Sequence, residues 1–181
     1  MGKTRVFLFI NNYPLISIGP QKFEPILCFF IMTFIYYFFI LFFSKNSGEV
    51  LNIIHHITYY SYLICHILAT FINPGIPSYE YSNKNKFIFF QNEENSIINH
   101  DLKLCRSCNC FTKVKDKVYH CTYCNICYMN FEHHCQWIGH CVAKNNKYFY
   151  YCFGTSIWVF ALGCFGMLFV NCMKVFLEKK K

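Results

Sequence analysis

The sequence predicts an all-α polytopic membrane protein of about three spans, with a cytosolic, loop-rich domain that holds two zinc ions. Three observations predict this fold class. Hydrophobic residues make up 55% of the 181 residues and charged residues only 14%, whereas about 25% of residues in a soluble domain are charged. No Asp, Glu, Lys or Arg occurs in residues 25–44, 50–79 or 148–173. A membrane-spanning helix needs roughly 20 consecutive residues that are mainly apolar. Eight of the 13 cysteines lie between Cys105 and Cys141.

The apolar stretches and the polar sequence between them divide the chain into segments. These are a cytosolic tail (1–24), transmembrane helices 1 and 2 (25–75), a linker (76–103), a cysteine-rich zinc domain (104–147), transmembrane helix 3 (148–173) and a basic C-terminal tail (174–181). The polar residues 44–49 separate the first two spans, and Asn73-Pro74-Gly75 ends the second. Proline cannot continue a helix and glycine readily takes the left-handed conformation, so this stop is well marked.

The distribution of Lys and Arg predicts the orientation of these segments. Three lie in the tail and nine in residues 80–147, against one in the turn at 44–49. Because cytosolic loops of membrane proteins collect basic residues, we expect the tail and the cysteine-rich domain to face the cytosol. An endomembrane such as the ER or the Golgi is the expected location. The net charge of +8 is then explained by the basic residues of the cytosolic segments. We expect no nucleic-acid partner, because the sequence has no evident basic recognition helix.

The cysteine-rich domain has the residue spacing of a zinc-binding domain. Two Cys-x2-Cys pairs, Cys105/Cys108 and Cys121/Cys124, could each supply two of the four ligands of a tetrahedral zinc ion. Cysteines on the reducing, cytosolic side of a membrane bind metal more readily than they form disulfides. Two closed sites use eight ligands, so four of the twelve cysteines and histidines from Cys105 to Cys141 are left for another role or for none.

One tetrapeptide in this domain, Glu132-His133-His134-Cys135, places a carboxylate, two imidazoles and a thiol next to one another. A thiol becomes a nucleophile when a nearby imidazole accepts its proton, and a carboxylate can hold that imidazole in the required tautomer. On spacing alone, Cys135 is either such a nucleophile, a further zinc ligand, or a residue without a role.

The whole pattern resembles the Asp-His-His-Cys cysteine-rich domain of the protein S-acyltransferases (palmitoyltransferases). In that family Cys-x2-Cys is followed by His-Cys-x2-Cys-x2-Cys-x4, the tetrapeptide, and x5-Cys. The positions of this chain that match the metal ligands or the nucleophile are Cys105, Cys108, His120, Cys121, Cys124, Cys127, His134, Cys135 and Cys141. Trp137, Asn146 and Phe149 match as well, and Asn73-Pro74-Gly75 is similar to the Asp-Pro-Gly of the family.

The resemblance implies two structural zinc ions and one nucleophilic cysteine. The two implied ligand sets interleave along the chain: Cys105, Cys108, His120 and Cys127 for one ion, and Cys121, Cys124, His134 and Cys141 for the other. His133 would be the general base, oriented by Glu132. Cys135 would attack the thioester of a fatty acyl-CoA such as palmitoyl-CoA, hold the acyl group, and pass it to a membrane-proximal cysteine of a protein substrate.

Several features of the sequence depart from the pattern of the family. Glu132 replaces Asp, and eleven residues rather than nine separate the first Cys-x2-Cys pair from His120, so that Cys110 could compete as a ligand. Gly139-His140 stands where the family commonly has two Asn. A fourth span and a following Thr-Thr-x-Glu segment do not occur in the sequence, so we expect a truncated member. The alternative function is therefore a catalytically impaired, membrane-anchored zinc module that binds protein partners.

Overall fold

The computed structural model describes residues 4–10, 13–77, 102–108, 110–113 and 117–180. It consists of two compact units, one from residues 1–24 and 70–147 and the other from residues 25–69 and 148–181. The first unit contains the cysteine-rich domain together with the N-terminal segment. The second unit is helical.

Three helices are described, namely α1 (Phe23–Ser47), α2 (Glu49–Phe71) and α3 (Lys147–Glu178). Within the described part of the chain, α1 and α3 are long and apolar enough to cross a membrane, by length and composition. Only 11% of the apolar window of α1 and 28% of that of α3 are buried inside the protein. The remaining apolar side chains need a covering environment, which lipid can supply.

The second helix, α2, does not meet the same criterion for a membrane span. Three histidines and several other polar side chains interrupt its apolar sequence. The prediction of about three spans is therefore supported for two helices, and a span at α2 stays a proposal.

Polar side chains join the helices of the helical unit. Tyr36 Oη of α1 lies 2.7 Å from His56 Nδ1 of α2. Asn171 of α3 donates from Nδ2 to Phe43 O of α1 at 3.3 Å. In an apolar environment such interhelical hydrogen bonds contribute about 0.6 kcal/mol each. The polar residues of α2 therefore help to hold the helices of this unit together.

The first unit is built from antiparallel two-stranded hairpins. Its strands are β1 (Arg5–Ile10) with β2 (Tyr13–Ile18), β3 (Leu102–Cys105) with β4 (Cys110–Lys113), β5 (Tyr119–Cys121) with β6 (Ile126–Tyr128), and β7 (His133–Cys135) with β8 (His140–Val142). Asn125 (φ 53°) and Gly139 (φ 63°) lie in the turns of the last two hairpins. Asn and Gly are the residues that tolerate this left-handed conformation best.

The core of this unit is small, and three of its seven buried members are cysteines. Its buried members are Ile76, Cys121, Cys124, Ile126, Tyr128, Cys141 and Ala143. Three of them belong to one predicted ligand set, so the core and that candidate metal centre are the same place. A unit with so little apolar core is typical of domains that depend on a metal for stability.

The structure differs from the predicted segments at both ends of the chain. Residues 5–10 and 13–18, expected to be part of a tail, form the paired strands β1 and β2, because their apolar, β-branched and aromatic residues favour strands. Residues 174–178, also expected to be a tail, continue α3, because Lys, Leu and Glu are good helix formers. The predicted linker falls mainly at 78–101, outside the described residues.

Candidate metal centres and catalytic cysteine

The first candidate metal centre brings together Cys105, Cys108, His120 and Cys127, whose ligand atoms all lie within 4.8 Å of one another. His120 Nδ1 lies 3.1 Å from Cys108 Sγ and 3.8 Å from Cys127 Sγ. β3 ends at Cys105 and the following turn carries Cys108. The register of β5 and β6 places His120 opposite Cys127. Two hairpins that are separate in sequence therefore meet at this centre.

The second candidate metal centre brings together Cys121, Cys124, His134 and Cys141, again within 4.8 Å. His134 Nδ1 lies 3.4–3.6 Å from each of the three sulfurs. The register of β7 and β8 places His134 opposite Cys141, while Cys121 and Cys124 come from the end of β5 and its turn. All three cysteines are buried, whereas three of the four residues of the first centre are half-buried.

Both centres fit a tetrahedral zinc ion. Each offers three sulfurs and one imidazole nitrogen, a donor set that is common in structural zinc sites. A Zn–S distance of about 2.3 Å places neighbouring sulfurs about 3.8 Å apart. The Cys108 and Cys127 sulfurs are 3.6 Å apart, and those of Cys124 and Cys141 are 3.4 Å apart. These two clusters could therefore bind metal with little rearrangement.

The second centre also attracts positive charge. Burial lowers the pKa of His134, but hydrogen bonds with Cys121 and Cys124 outweigh this effect and raise the pKa to about 9. Hydrogen bonds from Cys124 and Cys141 lower the pKa of the Cys121 thiol below its ordinary value. A thiolate beside an imidazole favours a cation, either a proton or a metal ion.

The tetrapeptide lies on the β7–β8 hairpin. His133 and Cys135 are two residues apart in β7 and so share one face of the strand, while the ring of His134 between them faces the second centre. The register pairs His133 with Val142 and Cys135 with His140. His133 is exposed and Cys135 is only 5% exposed. The thiol expected to react thus lies in the strand that carries a candidate metal ligand.

Glu132 comes directly before β7 and extends its ladder. The backbone N–H of Glu132 donates to Val142 O at 3.0 Å. The side-chain Oε1 lies 3.8 Å from Lys147 Nζ. The carboxylate expected to orient His133 therefore has a cationic neighbour at the start of α3.

Two buried polar side chains to which the sequence analysis gave no role shape this hairpin and its exit. Asn146 accepts the N–H of Ala143 at Oδ1 and donates from Nδ2 to Cys141 O, both at 2.9 Å. His140 is fully buried, and its Nε2 lies 3.3 Å from Tyr128 Oη. Burial lowers the pKa of His140 to about 3, so the ring is neutral. The sequence signals were the match of Asn146 to the family pattern and the departure at Gly139-His140, and neither indicated these contacts.

The Asn73-Pro74-Gly75 segment, which follows α2, also makes hydrogen bonds within its own turn and to the β1–β2 hairpin. Asn73 Oδ1 accepts the N–H groups of Gly75 and Ile76 at 3.1 and 3.0 Å. Asn73 Nδ2 donates to Pro14 O at 2.7 Å, and the residue is 2% exposed. Asn73 therefore closes its own turn and also binds the end of the β1–β2 hairpin.

The chain thus combines a zinc-binding-like domain, with two interleaved clusters of three cysteines and one histidine, and two helices apolar enough to cross a membrane. Residues 98–181 match the family model of the DHHC palmitoyltransferase. This match, over a little less than half of the chain, confirms the resemblance of the motif to the DHHC palmitoyltransferases.

Individual relatives agree with this assignment. Palmitoyltransferase ZDHHC8 of Drosophila melanogaster is 29% identical over 149 residues, which cover 79% of this chain and 16% of the relative. Palmitoyltransferase ZDHHC5 of Rattus norvegicus is 30% identical over 112 residues, covering 58% and 15%. Probable protein S-acyltransferase 1 of Arabidopsis thaliana is 32% identical over 74 residues, covering 41% and 21%. The chain thus spans about a fifth or less of the length of these relatives.

Proposed function

We propose that this protein is a protein S-acyltransferase that moves a fatty acyl group, such as palmitoyl, from acyl-CoA to cysteines of proteins at a membrane. The observation that supports this most is the family match over residues 98–181, combined with the position of Cys135 on β7, next to His134 of the second centre. Fatty acyl-CoA, protein substrates with membrane-proximal cysteines and the bilayer itself are the proposed partners.

The two candidate centres each hold one structural zinc ion in this proposal. Their ligands are Cys105, Cys108, His120 and Cys127 for the first, and Cys121, Cys124, His134 and Cys141 for the second. Each site is closed by four protein ligands, so the ions contribute folding energy to a unit with a small core and leave the chemistry to side chains.

Cys135 is the nucleophile and His133 the general base. His133 accepts the thiol proton, and the thiolate attacks the carbonyl carbon of the acyl-CoA thioester. A thioester to Cys135 forms as the bond to the CoA sulfur breaks, and the proton passes from His133 to the CoA thiolate. In the second half, His133 deprotonates the substrate thiol, which takes the acyl group, and Cys135 regains a proton. Glu132 holds the His133 ring during both halves.

The acylated intermediate gives a direct test. The purified full chain in detergent, incubated with a palmitoyl-CoA analogue, should carry a hydroxylamine-sensitive label that Cys135→Ser and His133→Ala lose. Cys172→Ser, which removes an exposed cysteine of α3, serves as the control and should keep the label. A wild-type chain that binds two zinc ions but never carries the label supports the second function, a catalytically impaired zinc module that binds protein partners.

The membrane topology is part of the same proposal. All three helices span an endomembrane, and the N-terminal segment and the cysteine-rich domain face the cytosol. Protease added to sealed microsomes should therefore cleave within residues 80–103. Protection of this segment would place the cysteines on the lumenal side, where an oxidising environment favours disulfides over zinc.

A further inference from the structure

The second metal centre has a polar neighbour from outside the cysteine-rich domain. His134 Nε2, the ring nitrogen that faces away from the three sulfurs, lies 2.7 Å from Gln21 Oε1. When Nδ1 of an imidazole binds a metal, the proton resides on Nε2. Nε2–H of His134 can then donate to the amide oxygen of Gln21. In many metal sites such an outer partner fixes the ring of the ligating histidine.

Close backbone packing brings Gln21 to this position. Two residues earlier, Gly19 lies against the β7–β8 turn. A Cβ atom on Gly19 would overlap Gly139 O and would lie 2.9 Å from His140 Cα. No residue larger than glycine fits this approach without a backbone shift. The segment that carries Gln21 is therefore held directly against the hairpin that carries His134.

Further contacts fasten the β1–β2 hairpin to the same unit. Thr4 Oγ1 lies 3.2 Å from Tyr128 Oη. The backbone N–H of Asn73 donates to Leu15 O at 2.9 Å, and its Nδ2 donates to Pro14 O at 2.7 Å. These contacts lie at both ends of the hairpin, so the N-terminal segment is a structural part of the metal-binding unit.

We propose that Gln21 is a positioning residue of the second metal centre, which fixes the ring of His134 through its amide oxygen. The proposal deepens the proposed function, because it rests on zinc binding at this centre. His134 lies between His133 and Cys135 in β7, so a ring that turns would displace the strand that carries both reacting groups. Gln21 thus acts on the metal first and on acyl transfer only through it.

Zinc retention by the full chain tests this proposal without any acyl transfer. Gln21→Leu keeps the approximate size but removes the hydrogen-bond acceptor, whereas Gln21→Glu keeps an acceptor. Lys22→Leu is the matched control, because Lys22 is the exposed neighbouring residue. In competition with a chromogenic chelator, Gln21→Leu should lose one of its two zinc ions at about 10- to 100-fold lower chelator concentration. Gln21→Glu and Lys22→Leu should match the wild-type protein.

A spectroscopic measurement separates positioning from folding. With Co²⁺ in place of zinc, Gln21→Leu should shift the thiolate-to-cobalt absorption of one centre only, and Gln21→Glu should restore it. If Gln21→Leu does not fold, Gln21→Asn, whose arm is one methylene shorter, should show the same changes in smaller measure.

The outcomes distinguish this proposal from the proposed function. A wild-type protein with two zinc ions, matched by its Gln21 variants in both chelator resistance and spectrum, overturns the role of Gln21 alone. A wild-type protein that binds no metal overturns the zinc centres and the role of Gln21 together.

Discussion

Glu132 Oε1 lies 3.8 Å from Lys147 Nζ, which links the residue before β7 to the first residue of α3. The two side chains are 30% and 47% exposed, so the pair contributes at most about 1 kcal/mol to stability. The pair matters more for the proposed reaction than for stability. The carboxylate that the proposed mechanism needs beside His133 also has a cation within reach.

Shortening the carboxylate arm should increase the reactivity of Cys135. In Glu132→Asp the arm loses one rotatable bond and retreats from Lys147, which preorganises it better for His133. A misplacement of about 1 Å can cost around a hundredfold in rate, so we expect a gain of up to that size. The rate of self-acylation of Cys135 measures it. Glu132→Ala should acylate more slowly than the wild-type protein, by up to about 10⁴-fold.

Removing the lysine tests the same competition from the other side. Lys147→Met should increase the rate of self-acylation modestly and change the melting temperature little. The control is Lys144→Met, which removes another exposed lysine close by. A slower Lys147→Met beside an unchanged Lys144→Met would show that Lys147 supports the reaction and does not compete for the carboxylate.

The two ligand sets predict a zinc content of two per chain. Cys108→Ser should leave one ion and loosen the half-buried first centre, whereas Cys121→Ser removes a ligand from the core itself. We therefore expect Cys121→Ser to be the more damaging, since a structural zinc contributes folding energy directly. Elemental analysis and thermal unfolding measure both effects. Cys110→Ser should retain two ions, and a loss of one would mean that Cys110 is a ligand in place of a predicted one.

The two candidate metal clusters could be predicted because the sequence information for them is local. Cys-x2-Cys turns bring their own ligands together, and the spacing of the tetrapeptide matches a known family. The structure assembles the same two groups of four that the resemblance implies. The docking of the N-terminal hairpin could not be predicted in this way. Gln21 and His134, or Thr4 and Tyr128, are more than a hundred residues apart, and single polar residues in a short tail carry no spacing signal.

The helical part shows a second limit of the sequence analysis. Absence of charge predicts apolar helices at α1 and α3, and both are found. The same absence of charge at 50–79 concealed the neutral polar side chains of α2. Several of these, such as His56, form hydrogen bonds to neighbouring helices. Neutral polar residues lower hydropathy without adding charge, so a count of ionised residues does not detect them.

Burial of His140 should make the protein sensitive to acid. Its pKa is lowered from 6.5 to about 3 by burial, so below pH 6.5 the unfolded chain binds a proton that the folded chain does not. The stabilising contribution is therefore complete above pH 6.5 and is lost as the pH falls towards 3. At pH 5.5 the loss is about 1.4 kcal/mol.

Replacing this histidine isolates the effect. His140→Asn should lose less stability than the wild-type protein between pH 7.5 and pH 5.5, with thermal unfolding of the zinc-loaded chain as the measurement. His133→Asn removes an exposed histidine of the same hairpin and is the control for the loss of an imidazole. An identical pH dependence for all three proteins would contradict a neutral, buried ring at position 140.

Asn73 should be one of the most sensitive polar positions of the first unit, because it makes three side-chain hydrogen bonds while 2% exposed. Asn73→Ala leaves the N–H groups of Gly75 and Ile76 and the carbonyl of Pro14 without this partner, and should cost about 1–3 kcal/mol. Asn73→Asp keeps both acceptor bonds but cannot donate to Pro14 O, so its stability should lie between those of the wild-type protein and Asn73→Ala. The lost hydrogen bond to Pro14 should appear first as protease cleavage near β2. The exposed Asn145→Ala is the control. If Asn73→Ala and the control have the same melting temperature, the side chain of Asn73 is not needed to hold the hairpin.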